Sequence, residues 1–172
     1  LFFRSWATCL LLLGSLATLA LALWMRPPLV VAMGQKEATP LLRGFYEPER
    51  LGERSFRWSG ENATIRFLDP GLPAPLVLVL RAAAVRPEGV PVTITAGSAP
   101  VGTILVRQDP AVYQVVLPVS ARAASGTIPI GLTASPFRAP KDPRPLGVLV
   151  ESAELRSRFQ SLPAFPVRSC LV

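Results

Sequence analysis

The 172-residue sequence predicts an all-β domain, an antiparallel β-sandwich of about eight strands, carried behind one N-terminal transmembrane helix. Three observations predict it. From Ala63 onward the apolar residues alternate with a period of two, in short stretches bounded by turn formers. The 19 prolines and 12 glycines break up long helices and suit many short strands joined by tight turns. Ser5–Met25 runs 21 residues without a charge, between Arg4 and Arg26.

The uncharged run comes first. At about 1.5 Å per residue a helix of this length measures about 31 Å, close to the ~30 Å hydrocarbon core of a bilayer. Trp6 and Trp24 stand near its two ends, where amphipathic rings favour the lipid–water boundary. A signal peptide has a shorter apolar region and a small-residue cleavage site. Here the run ends in Trp24-Met25-Arg26-Pro27-Pro28, and the nearest candidate site, around Val31–Gly34, is poor, which favours a retained helix. Gly14 and Ser15, with Ala17, Thr18 and Ala20, form a small-residue patch of the kind that lets helices approach closely, although such residues are also ordinary in spans. Arg4 places the N-terminus on the cytoplasmic side. The expected location is therefore single-pass in the inner (plasma) membrane, with the β-domain on the extracytoplasmic, periplasmic side. The bilayer and other membrane-protein subunits are the expected partners.

Pro27 and Pro28 stop the helix, because proline lacks the amide donor and restricts the residue before it. The chain divides into an anchor at 1–26, a linker at 27–43, a sandwich at 44–158 and a tail at 159–172. Within the linker, Leu29–Met33 suits an edge strand or a membrane-lying segment, and Gly34–Pro40 a turn. Aromatic residues and turn formers then alternate through Gly44–Glu49 and Ser55–Ser59. Strands follow at Ala63–Leu68, Leu76–Ala84, Val92–Ala96, Val101–Val106, Val112–Leu117, Thr127–Ala134 and Leu146–Leu155. Turns at Asp69-Pro70-Gly71, Arg86–Gly89, Gln108-Asp109-Pro110, Ala121–Gly126 and the Pro-rich 136–145 separate them. No helical period of 10–15 residues intervenes, so the sandwich is of jelly-roll or immunoglobulin-like kind. The tail is apolar, broken by proline and too short to span. The chain starts at Leu1 rather than Met, which leaves room for further sequence at either end.

Most chemistry is excluded by composition. The absence of histidine removes the commonest general base, the usual haem ligand and most transition-metal sites. Cys9 lies in the uncharged run and Cys170 near the C-terminus, an arrangement that does not suit a disulfide. The net charge is +7, but the arginines are scattered and no nucleic-acid-binding signature is present, so no nucleic acid is expected. Phosphate-binding glycine loops and a calcium-loop pattern are missing. Ser120 and Ser125 have no histidine to activate them. Glu151 and Glu154 stand three apart on the last strand, which puts them on opposite faces and rules out a glycosidase pair. No catalytic, cofactor-binding or metal-binding residue is therefore assigned.

Ligand contact is left. Tyr46 and Trp58 could form an aromatic platform; alternatively Phe45, Phe56 and Trp58 plug the mouth of the sandwich. Asp142 and Arg144 could bind a polar ligand or tie down the Pro-rich loop. Carbohydrate binding, the less favoured partner class, would use exposed aromatics, for which Tyr46, Trp58 and Tyr113 are the candidates. Asn62-Ala63-Thr64 matches the three-residue glycosylation pattern.

Gly44-Phe45-Tyr46, Phe56-Arg57-Trp58, Val112-Tyr113-Gln114-Val115 and Asp142-Pro143-Arg144-Pro145-Leu146-Gly147-Val148 occur in an order that resembles a bacterial extracytoplasmic jelly-roll-like β-sandwich module. Similar modules stand beside hydrophobic helices in membrane proteins related to polytopic glycosyltransferases. The resemblance covers about residues 44–156, and its Asp-x-Arg-x-Leu-Gly motif leads into a closing strand. It implies a fold and a location, and no reaction. A single-span chain with such a domain also looks like an accessory subunit of a membrane complex such as alternative complex III, the quinol-oxidising electron-transfer assembly. The expected function is thus a non-catalytic accessory subunit, with a glycosyltransferase-like fragment or a tethered carbohydrate-binding module as alternatives.

Overall fold

The computed structural model describes residues 2–24, 27–68, 75–118, 126–140 and 142–157. The turn at Asp69-Pro70-Gly71, the loop with Ser120 and Ser125, and the tail with Cys170 lie outside them. Ten strands are described: β1 (Leu29–Ala32), β2 (Leu42–Phe45), β3 (Glu49–Leu51), β4 (Arg54–Leu68), β5 (Leu76–Ala83), β6 (Val90–Ala96), β7 (Ala99–Val106), β8 (Ala111–Leu117), β9 (Thr127–Ala134) and β10 (Leu149–Ser157). All their pairings are antiparallel. One layer is formed by β1, β10, β5 and β8, and the other by β2, β4, β9, β6 and β7. The mostly-β sandwich expected from the period-two pattern is what the chain forms.

β4 joins the layers. Arg57 and Trp58 pair with Val150 and Leu149 of β10, while Asn62–Leu68 pair with β9. Its alternation sends Ala63, Ile65 and Phe67 into the core. Leu76, Leu78, Leu80 and Ala82 of β5 face Val90, Val92, Ile94 and Ala96 of β6 and Ile128, Ile130, Leu132 and Ala134 of β9 in one apolar cluster. That burial supplies the main driving force for the fold.

The stretch before β4 belongs to this cluster. Leu29–Ala32 takes the edge-strand alternative and pairs with Ser152–Leu155, and Val31 and Met33 are buried in the core. Gly34–Pro40 forms a turn continued by a 3₁₀ helix at Lys36–Leu41. The short strands β2 and β3 both lean on β4.

One sequence expectation is corrected. Glu151 and Glu154 do not face opposite sides. A β-bulge between Val150 and Ser152 adds one residue to β10, so Val150, Ala153, Leu155 and Ser157 point inward and both glutamates stay on the outer face. Glu151 there pairs with Arg54 and, at 2.8 Å, with Arg81.

The N-terminal run was expected to cross the membrane. It forms helix α1 (Phe2–Trp24), but its side chains are described without a break only from Thr8 to Leu19. Among the described residues no helix is long and apolar enough to cross a membrane, so the expected transmembrane helix is not found there. Ser15 and Thr18 satisfy their hydroxyls within α1, on the carbonyls of Leu11, Gly14 and Ser15. Trp6 is exposed. Among the described residues nothing lies within 4 Å of a Cβ built on Gly14. Trp24 ends the helix, and its side chain lies outside the described residues.

The strand order defines two poles. At one pole β1 and β5 begin and β10, β8 and β4 end, since Leu29 pairs with Leu155, Leu76 with Leu117 and Ser157, and Leu68 with Thr127. α1 enters the sandwich at this pole. At the other lie the β5–β6 and β7–β8 turns, the start of β10, and the segments around Tyr46 and Trp58.

Candidate functional site

The far pole carries a corner built from three stretches of chain. Phe56 and Trp58 sit two apart on β4 and so share a face. Their rings meet edge to face at 6.0 Å, and Trp58 meets Phe137 in the same way at 5.9 Å. Phe137 reaches it because the loop between β9 and β10 folds back on itself. Phe137 and Leu146 exchange backbone hydrogen bonds in both directions, at 2.8 and 2.9 Å.

The tip of that loop is set by Asp142. Its amide donates to the Ala139 carbonyl at 3.0 Å, and its Oδ1 accepts from the Arg144 backbone amide at 3.0 Å. This is the Asx-type turn that an Asp before Pro favours. The Arg144 side chain closes the ring: Nε donates to both carboxylate oxygens at 2.9 and 3.1 Å, and Nη2 donates to Oδ2 at 2.6 Å. Nη2 also donates to Glu49 Oε1 at 2.8 Å, tying the loop to β3. The guanidinium lies 5.0 Å from the centroid of the Tyr46 ring. The Tyr46 hydroxyl donates to the Pro145 carbonyl at 3.1 Å, and its amide donates to the Trp58 carbonyl at 2.9 Å.

The four candidates Tyr46, Trp58, Asp142 and Arg144 therefore converge in one corner, each partly exposed. Phe137 and Glu49 join them. Phe56 is buried but stands outside the apolar core cluster, whereas Phe45 packs against that cluster. Tyr113 does not join the corner. It is buried, and its hydroxyl accepts from the Arg107 amide at 2.8 Å, which makes it a brace for the β7–β8 turn.

The charges are strongly coupled. The Arg144 side-chain bonds, and then its backbone amide, hold the Asp142 carboxyl at a pKa of about 2, below the ordinary 3.8. Asp142 and then Glu49 raise the pKa of Arg144. Because the Asp142 pKa is lowered on folding, its contribution to stability is complete above the unfolded value and is lost as pH falls through about 2. NMR titration of the Asp142 carboxyl should give a midpoint near 2; a midpoint at 3.8 would show that the Arg144 clasp is open in solution.

Below the corner is a residue that sequence reasoning missed. Arg57 is 2% exposed. Its Nε donates to the Met33 carbonyl at 2.8 Å and its Nη1 to the Tyr46 carbonyl at 3.1 Å. Nη2 donates to the Gln35 carbonyl at 3.3 Å and to Thr39 Oγ1 at 2.9 Å. These acceptors are all neutral, and they hold the backbone under Tyr46. The signal was present: 57 and 59 have the parity of 63, 65 and 67, which marks an inward arginine. Ser59 on the same face accepts from the Val148 amide at 2.9 Å.

Among the described residues no group of His, Cys, Asp or Glu side chains is placed to hold a metal ion. What the corner offers is partly exposed aromatic rings beside fixed carboxylate and guanidinium groups, a combination suited to binding.

No family model matches the chain, and no curated protein matches it. The solved structures to which it is similar include carbohydrate-binding module β-sandwiches and also glycoside hydrolases, of which this chain matches only a part. One is a family 35 carbohydrate-binding module from Clostridium thermocellum, at 14% identity and a TM-score of 0.48, covering 77% of this chain and 99% of that one. Another is the C-terminal CBM6 of LamC, a laminarinase from Zobellia galactanivorans, at 12% identity and a TM-score of 0.47, covering 76% and 100%. A third is the CBM36-1 domain of a multidomain xylanase from the hindgut metagenome of Trinervitermes trinervoides, at 12% identity and a TM-score of 0.46, covering 75% and 96%. At this level of identity and superposition the likenesses stand beside the fold, which rests on the strand pairing itself.

Proposed function

We propose that this chain is a non-catalytic binding module whose ligand corner is Tyr46, Trp58, Asp142 and Arg144, whose ligand class is carbohydrate, and which α1 holds at the extracytoplasmic face of a bacterial plasma membrane. The observation that carries the reading is the convergence of the corner from chain segments almost a hundred residues apart. A sugar presents an apolar C–H face and a rim of hydroxyls. Aromatic rings accept the face, and pre-fixed carboxylate and guanidinium groups bond the rim. The Asp142–Arg144–Glu49 clasp holds these polar groups in one geometry, which lowers the ordering cost of binding. Support for the membrane comes from the 21 uncharged residues Ser5–Met25 and from the exposed leucines of α1.

Affinity electrophoresis in gels containing soluble β-glucans or xylans tests the reading. The chain should be retarded by at least one polysaccharide, and Tyr46→Ala should remove about 1–2 kcal/mol of that binding, a loss of roughly 5–30-fold. Retardation that survives both Tyr46→Ala and Trp58→Ala would place the binding elsewhere.

A second reading is an accessory subunit of a membrane assembly, of the alternative complex III or glycosyltransferase-like kind. The open space over Gly14 among the described residues favours it, since small residues on a helix let another helix approach closely. Stoichiometric co-purification with larger membrane proteins in mild detergent would support it.

A further inference from the structure

We infer that the pole at which α1 enters is a lipid-contacting surface, with Leu68 and Val116 in the headgroup layer and the Tyr46–Arg144 corner turned away from the bilayer. The inference rests on the membrane anchoring proposed above and adds the orientation of the sandwich to it.

The register and the tether carry it. Only residues 25–28 separate the end of α1 at Trp24 from the start of β1 at Leu29. Four residues reach about 14 Å at most, and Pro27-Pro28 makes the connection stiff. The hydrocarbon core is about 30 Å thick and the whole bilayer about 40–45 Å, so each headgroup layer is only several ångströms deep. Even fully extended, the tether carries the start of β1 only a few ångströms past the headgroups, so the pole at which β1 begins is the part of the sandwich held nearest the lipid.

The pairing then fixes which end is down. Leu29 lies opposite Leu155, two residues from the end of β10. Leu76, Leu117 and Ser157 lie at this same end, and so does Leu68 opposite Thr127. Apolar side chains on both layers are exposed here, with Leu68 at 63% and Val116 at 52%. Arg66 shares the outer face of β4 with Leu68 and is exposed beside it, a pairing suited to an apolar–polar boundary. The corner is at the opposite end of β10. The eight steps from Leu149 to Ser157 put it about 26 Å further out, where it is open to ligands too large to enter the headgroup layer.

The test uses the full chain in phosphatidylcholine vesicles, with Cys9→Ser and Cys170→Ser and a single bimane-labelled cysteine at Leu68, Val116, Val112, Val85 or Leu12. All five positions are exposed, so labelling does not disturb the core, and Val112 and Val85 lie toward the far pole. Nitroxide on the lipid headgroup should remove roughly half of the emission at 68 and 116 and leave 112 and 85 near their lipid-free level. Acyl-chain nitroxide should quench position 12. Quenching at 12 with equal signals at 68, 116, 112 and 85 would overturn the orientation and leave the anchor standing. No quenching at 12 would overturn both.

Discussion

Replacing Arg57 with methionine is expected to cost about 3–5 kcal/mol of stability, the largest effect of any single substitution outside the apolar core. The guanidinium reaches Met33, Gln35, Thr39 and Tyr46 together. Methionine keeps the apolar stem but is shorter and offers no donor, so the buried Met33 carbonyl and the part-buried acceptors at Gln35, Thr39 and Tyr46 lose their partner at once. Each buried group left unsatisfied costs about 1–3 kcal/mol, offset in part by no longer burying an uncompensated charge. Lysine keeps the charge but cannot span four acceptors with one ammonium, so Arg57→Lys should recover little. Urea denaturation followed by far-UV circular dichroism measures the loss. A change below about 1 kcal/mol would mean that the segment from Met33 to Tyr46 is held by its apolar contacts alone.

Gly147→Ala should cost about 2–3 kcal/mol, because overpacking forces a backbone shift when the obstacle is itself backbone. A Cβ at this position meets the Gly60 carbonyl oxygen and Ser59 Oγ, and the Ser59 carbonyl oxygen lies 3.2 Å away. Gly147 also donates its amide to that Ser59 carbonyl at 2.7 Å, within the seam where β4 passes from one layer to the other. The alanine would push β4 and the start of β10 apart, and would weaken the Ser59 bond to Val148 with it. Thermal unfolding should show a clear fall in midpoint, and tryptophan fluorescence should report a disturbed Trp58. A wild-type midpoint would mean that the seam can open without cost.

These two positions show where the sequence was informative and where it was not. Thr127–Ala134 has the bounds that its alternation predicts, and Leu76–Ala84 differs by one residue, because each has apolar residues at every second position and a turn former at each end. β2 and β3 were missed because they are short and separated by Pro48; β2 pairs with the middle of the fifteen-residue β4, and β3 is a three-residue hairpin arm on the first residues of β4 across Gly52-Glu53. The bulge in β10 was invisible because an added residue changes the parity without changing any residue type. The motif residues at 142–147 were noticed in the sequence, but their reason is spatial: Asp142 and Arg144 clasp Glu49, and Gly147 fits against the backbone of β4. Arg57 was overlooked because an arginine between two aromatics reads as a surface residue. Only its parity with Ile65 and Phe67 gives it away.

The most direct measurement of the proposed function is a titration of the full chain in detergent micelles with a soluble gluco-oligosaccharide, followed by ¹⁵N-resolved NMR. A ligand seated in the corner should shift the Trp58 indole N–H and the amides of Tyr46, Phe137 and Arg144, and leave β6 and β7 unmoved. Shifts confined to another face, or none at concentrations that saturate wild-type retardation in the gels, would contradict a carbohydrate site at Tyr46 and Trp58.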